Sequence, residues 1–384
     1  MSVRRPAVVE AARSRFKLHG RSRQWTDAWS HWRRQTAIRT AVKVLVTGAA
    51  GFIGSRVCAA LAGAGHQVVA VDAMLAAAHG ASSVPPDGVL EVDVRDASGL
   101  ASLLPGVEVV CHQAAVVGAG VDAADAPLFG SHYDYGTTVL LAEMFAAGCR
   151  RLVLASSMVV YGQGRYECPE HGAVDPLPRT RADLDAGDFE HRCPLGGEPL
   201  DWRLVDEDAP LRPRSLYAAS KTAQEHYALA WAEATSGSVV ALRYHNVYGP
   251  FMPRDTPYSG VVAIFRSAIE RGEPPMVFED GGQMRDFVYV DDVAAANVAA
   301  VTADVGGFAA FNVCSGRPVS IMEVATRLCE VRDGVAPVVT GRYRSGDVRH
   351  IVADPARAAD VLGFRAAVDP RDGLEVFAFA PLRG

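Results

Sequence analysis

Between Val42 and Val290 the chain repeats one pattern, a short apolar run bounded by Gly or an acid and followed by a stretch with helical spacing. Runs that are apolar at successive positions suit strands covered on both faces, so the pattern predicts an α/β fold with a doubly wound parallel sheet. Val42–Val46, Gln67–Val71, Val107–Cys111 and Arg151–Ala155 are the expected first four strands, and Val239–Arg243 and Phe287–Val290 extend the sheet. Residues 246–285 and 315–384 carry more Pro, Gly and mixed charge, which predicts a smaller C-terminal lobe over the strand ends. The expected division is an extension at 1–41, a main domain at 42–245 with an insertion at about 165–206, and a second lobe at 246–384 from which 286–314 returns to the sheet.

Directly after the first strand stands Gly48-Ala49-Ala50-Gly51-Phe52-Ile53-Gly54, followed by a helical stretch. Glycines at this junction let backbone N–H groups approach a pyrophosphate at a helix N-terminus, where the helix dipole favours negative charge. Strand, glycines and helix in this order identify a Rossmann dinucleotide site with Gly48, Gly51, Phe52, Ile53 and Gly54 against the ligand. Asp72 closes the second strand, where its carboxylate can accept both adenosine ribose hydroxyls and would repel a 2′-phosphate, so NAD is the expected cofactor. Asp93 and Val94 fall at the next strand end and are candidates for the adenine; a solvated aspartate is the alternative for Asp93.

Tyr217 and Lys221 are four residues apart, hence on one face of a helix. A nearby ammonium favours the phenolate, so the pattern predicts a lowered Tyr217 pKa and a usable general base. Ser157, after the fourth expected strand, stands at the carboxyl edge of the sheet, where ligands of open α/β folds bind.

These motifs resemble the extended short-chain dehydrogenase/reductase family of NAD-dependent nucleotide-sugar epimerases and dehydratases, over about residues 42–382. The resemblance implies Ser157, Tyr217 and Lys221 as catalytic residues, with Lys221 also on the nicotinamide ribose. It places Ala114, in His112-Gln113-Ala114-Ala115, beside the cofactor and Asn246, Arg285 and Arg349 around the nucleotide diphosphate. A homodimer is part of the same expectation. One departure is Tyr133, where the family usually has asparagine. Another is Met158-Val159, which stands where dehydratases of the family carry an Asp-Glu pair and decarboxylating relatives a Glu. Neither side chain transfers a proton, so elimination is disfavoured and transient oxidation with re-reduction at C4 of an NDP-hexose, dTDP-linked first of all, is the expected reaction. A 4-ketoreductase using an external nicotinamide, and a non-catalytic dinucleotide sensor or scaffold, are the competing readings.

Composition narrows the partners. With 49% hydrophobic residues, a net charge of −6 and a pI near 6.0, the chain has ample core and no general attraction to nucleic acid or anionic membrane. Seven cysteines, mostly isolated, and the lack of an apolar run of about 18 residues point to a reducing cytoplasm. The first forty residues hold ten Lys/Arg against two acids but no signal-like apolar core, and a poorly ordered extension is expected.

The insertion contains Cys168-Pro-Glu-His171 and Cys193-Pro-Leu-Gly196, two knuckles of the kind that build tetrahedral zinc sites. It resembles an insertion of deoxysugar epimerases in which a cysteine would stand at Gly196. Cys168, His171 and Cys193 are therefore candidate ligands, with His191 to complete the set; a remnant ribbon without metal is the alternative.

Overall fold

The computed structural model describes residues 41–80, 83–116, 123–254, 260–344 and 346–383. The expected N-terminal extension at 1–41 therefore lies, but for Ala41, outside the described residues.

Seven parallel strands form the main sheet: β1 (Lys43–Thr47), β2 (Gln67–Asp72), β3 (Val89–Glu91), β4 (Val109–His112), β5 (Arg151–Ser157), β9 (Ser238–Tyr244) and β13 (Gly307–Val313), in the spatial order β13-β9-β5-β4-β1-β2-β3. Val44, Leu45 and Val46 have no exposed surface, as a strand sandwiched between helices demands. Leu45, Leu100, Val110, Leu140, Leu152 and Ala228 belong to the core between the sheet and its helices. In register, Thr47 lies opposite Val71 and His112, and Ser157 opposite Tyr244, so these strands end along one edge.

One reading of the sheet needs correction. Phe287–Val290 does not extend it: β12 (Met284–Tyr289) pairs with β10 (Asn246–Tyr248) and β14 (Pro318–Ser320) in a separate three-stranded sheet of the second lobe. The chain instead returns through the helix Val290–Thr302, packed on the helix Phe52–Gly63, and then β13. The second lobe has its own core, built from Phe265, Phe287, Leu328 and Phe377 among others, and a small pairing of β11 (Met276–Val277) with β15 (Val338–Val339).

The insertion folds as an antiparallel sheet of β6 (Arg165–Cys168), β7 (Gly172–Val174) and β8 (Asp201–Arg203). Polar contacts tie it to the second lobe. Arg179 bonds Glu279 at 2.8 Å, Glu190 accepts from Arg349 and His350, and the His350 N–H donates to Tyr166 Oη at 3.2 Å.

Candidate active site

At the carboxyl edge of the sheet, Gly48, Gly51, Phe52, Ile53, Gly54, Asp72, Asp93, Val94, Ala114, Ser157, Tyr217 and Asn246 all line one cleft of about 420 Å³. Within it, glycine is required at two points. Gly48 has φ +67°, and a Cβ there would lie 2.7 Å from the Ala114 backbone; a Cβ on Gly54 would lie 2.0 Å from the Gly48 carbonyl. The turn thus closes tightly against the start of the helix Phe52–Gly63, leaving a backbone-walled cradle that fits a dinucleotide pyrophosphate.

Asp72 is buried, accepting from the Ala50 N–H at 3.0 Å and the Met74 N–H at 2.9 Å, with His79 3.2 Å away. Arg383, from the far end of the chain, reaches the same place but donates to the carbonyls of Ala50 and Ala78. The Asp93 carboxylate is gripped by Arg95 at 2.6 Å, and that hydrogen bond holds its pKa below the ordinary aspartate value. An adenine amino group would therefore meet an acid already paired. Ala114 donates its N–H to Thr47 Oγ1, which is 2.7 Å from His112 Nδ1.

Ser157 ends β5, and Tyr217 and Lys221 sit in the first turns of the helix Leu216–Thr235, whose N-cap Ser215 accepts from the Ala218 N–H. The expected cause of a low Tyr217 pKa is not found. Burial pushes the phenol above its usual value, and what opposes this is a hydrogen bond with Ser157 rather than the charge of Lys221. Burial also pulls Lys221 down to about 7, against the attraction of Glu225. The Lys221 ammonium donates to the Ala155 carbonyl at 2.6 Å and lies 4.8 Å from the centre of the Tyr133 ring.

Tyr133 explains the departure at its position. It is fully buried in a π-helical turn, Gly130–Tyr135, bonds the Val116 carbonyl through its hydroxyl, and packs edge-on to Tyr217 with centroids 5.8 Å apart. One ring thereby touches both members of the Tyr/Lys pair, through edge contact and cation–π attraction.

Behind the pair lie groups that sequence reasoning passed over. Glu225, one turn beyond Lys221, forms a buried forked pair with Arg243 at 2.7 and 3.0 Å and accepts from Ser156. Gln224 bonds Thr137 at 2.6 Å and His112 at 3.3 Å. Glu225 follows Lys221 at helical spacing, the one signal that could have found it.

Asn246 faces the cleft with a buried Oδ1 that has no hydrogen-bond partner among the described residues. Arg285 and Arg349 do not join it. Arg285 donates to the carbonyls of Met284, Val348 and Arg349, and Arg349 is 2% exposed with its guanidinium held by Glu190, Glu279 and Asp280. Neither arginine lines the cleft in this structure: the Arg349 guanidinium is taken up at the junction with the insertion, and Arg285 bonds three backbone carbonyls. Met158 and Val159 line the cleft beside Ser157, leaving an apolar wall there.

His191 is likewise redirected, to the Leu177 carbonyl and to Gln163, at 3.1 and 3.2 Å.

A family model described as the NAD dependent epimerase/dehydratase family matches residues 44–182 and 197–314. Among curated proteins, the chain is 35% identical to a dTDP-L-rhamnose 4-epimerase of Burkholderia thailandensis, over 84% of this chain and 90% of that one. It is 32% identical to a UDP-glucose 4-epimerase of Mycolicibacterium smegmatis, over 87% and 96%. Among solved structures, the UDP-glucose 4-epimerase of Thermus thermophilus in complex with NAD superposes with a TM-score of 0.68 at 30% identity, covering 88% of this chain and 97% of that one.

Proposed function

From its membership of the NAD dependent epimerase/dehydratase family, which makes this chain an NAD-dependent enzyme of the sugar-nucleotide epimerase kind, we propose that it is a 4-epimerase of an NDP-(deoxy)hexose, with a dTDP-linked sugar as the first candidate. The observation that carries the reading is a Ser157, Tyr217 and Lys221 set beside a cleft whose next wall, Met158 and Val159, offers no acid for elimination. The dTDP preference rests on the Burkholderia relative alone.

Bound NAD supplies the acceptor for the C4 hydrogen and the donor for its return. Tyr217 takes the proton of the C4 hydroxyl and gives it back to the other epimer, while Ser157 hydrogen-bonds the same oxygen. Lys221, fixed by the Ala155 carbonyl and the Tyr133 ring, holds positive charge behind the phenol in its ammonium form. Asn246 offers its unpartnered oxygen to the substrate, and the apolar wall leaves the sugar free to turn.

Incubating the purified protein with dTDP-, UDP- and GDP-hexoses, read by NMR of the sugar ring, should interconvert C4 epimers of at least one without net NADH. Stoichiometric consumption of added NADH on a 4-keto sugar would replace this reading by a ketoreductase. At the cofactor end, Gly54→Ala should weaken NAD binding roughly tenfold or more, about 1.4 kcal/mol, because the new Cβ overlaps the Gly48 carbonyl. NAD retained through purification measures this, and a full complement in the variant would contradict it. Tyr133→Leu should lower kcat about 2- to 30-fold, the range of a cation–π contact worth ~0.5–2 kcal/mol, while Tyr133→Phe keeps most of the rate. Equal losses in the two variants would assign the effect to the hydroxyl instead.

A further inference from the structure

We propose that Cys168, His171, Cys193 and Glu198 form a tetrahedral zinc site that staples the inserted subdomain. This does not rest on the epimerase reading. One ligand atom from each of the four residues lies within 4.8 Å of all the others. His171 Nδ1 is 3.3 Å from Cys168 Sγ and 3.5 Å from Cys193 Sγ, and Cys168 Sγ is 3.8 Å from Glu198 Oε2. A zinc ion with bonds of about 2.3 Å to sulfur and ~2.0–2.2 Å to nitrogen and oxygen requires edges of roughly 3.3–3.8 Å between its ligands. The three spacings among Cys168–His171, His171–Cys193 and Cys168–Glu198 fall in this range.

The fourth ligand is the part that the sequence pattern could not supply. A side chain is expected at position 196 by the knuckle spacing, and glycine stands there. A Cβ on Gly196 would lie 2.3 and 2.4 Å from the two carboxylate oxygens of Glu198. The Glu198 carboxylate thus occupies the space that a ligand at 196 would fill, and glycine is what admits it.

The subdomain needs such a staple. Its own core is Tyr166, Cys168, Cys193 and Leu200, with Val174 and Trp202 packed against them, far too little apolar area to hold about forty residues unaided. Four protein ligands leave no open position, so the ion is structural, and two sulfurs with one nitrogen and one oxygen suit zinc rather than an iron–sulfur cluster.

Metal analysis of the full-length enzyme, purified without chelator, should find about one zinc ion per chain. Cys193→Ser should lose it. Glu198→Gln should release zinc faster to a chromogenic chelator, and after cobalt substitution its visible d–d bands should differ from those of the parent. In Gly196→Cys combined with Glu198→Ala, a third thiolate should restore slow release. Folded parent protein without zinc, or with a Cys168–Cys193 disulfide by peptide mass, overturns the site; unchanged release and cobalt spectrum in Glu198→Gln overturns the ligand set. Either result leaves the epimerase assay untouched, so the two readings fail separately.

Discussion

Tyr217→Phe is expected to lower kcat by about 10²–10⁴, the usual worth of a positioned general acid–base group, with NAD content unchanged. The Tyr217 ring packs against both the Tyr133 and Phe129 rings, so phenylalanine keeps the same ring contacts and only the proton carrier is lost. NMR turnover of the active sugar nucleotide together with NAD content checks the result, and a variant that keeps more than a tenth of the rate would remove Tyr217 from its assigned role. The pH profile should carry a second signature. Burial raises the Tyr217 pKa and the Ser157 hydrogen bond lowers it, so in the parent the active phenolate form grows as pH rises. Removing that bond in Ser157→Ala leaves burial unopposed, and the acid limb of kcat/KM should move to higher pH.

The parts of this site that were legible in the sequence are those whose chemistry depends on local spacing. Gly48, Gly51 and Gly54 need only a strand before them and a helix after; Tyr217 and Lys221 need only one helical turn. All of these face, or stand directly behind, the same cleft. Tertiary competition for charge is not written in local spacing. Arg285 and Arg349 have the residue type and neighbourhood of phosphate ligands, yet backbone carbonyls and three acids claim them. The Tyr217 pKa was misjudged for the same kind of reason, since the cost of burial cannot be read from a sequence interval. For the sheet, Phe287–Val290 is as apolar as any main-sheet strand, but it follows a lobe crossing, and an apolar run alone does not say which sheet a strand joins. Glu198 escaped notice because its role depends on an absent side chain two residues earlier.

Arg349→Ala should therefore act on stability first. Its guanidinium is the hub between the insertion, through Glu190, and the second lobe, through Glu279 and Asp280. Glu279 is almost fully buried and would keep, among the described residues, only Arg179 as a partner, while exposed Asp280 and half-exposed Glu190 would return to solvent at little cost. Breaking a buried ion pair by removing one partner costs about 3–5 kcal/mol. With Arg179 still in place the lower end applies, about 3 kcal/mol, or roughly 4 °C in Tm for a chain of this size. Freed from Arg349, the insertion should also become the first point cut in limited proteolysis, within about residues 165–206. Scanning calorimetry and peptide mapping of the digest measure both effects. An unchanged Tm with a large rise in KM for the sugar nucleotide would return Arg349 to the diphosphate, and would mean that binding substrate pulls it away from three carboxylates. That exchange is unfavourable on charge alone, because a diphosphate would have to replace Glu190, Glu279 and Asp280 together and leave Glu279 buried behind it.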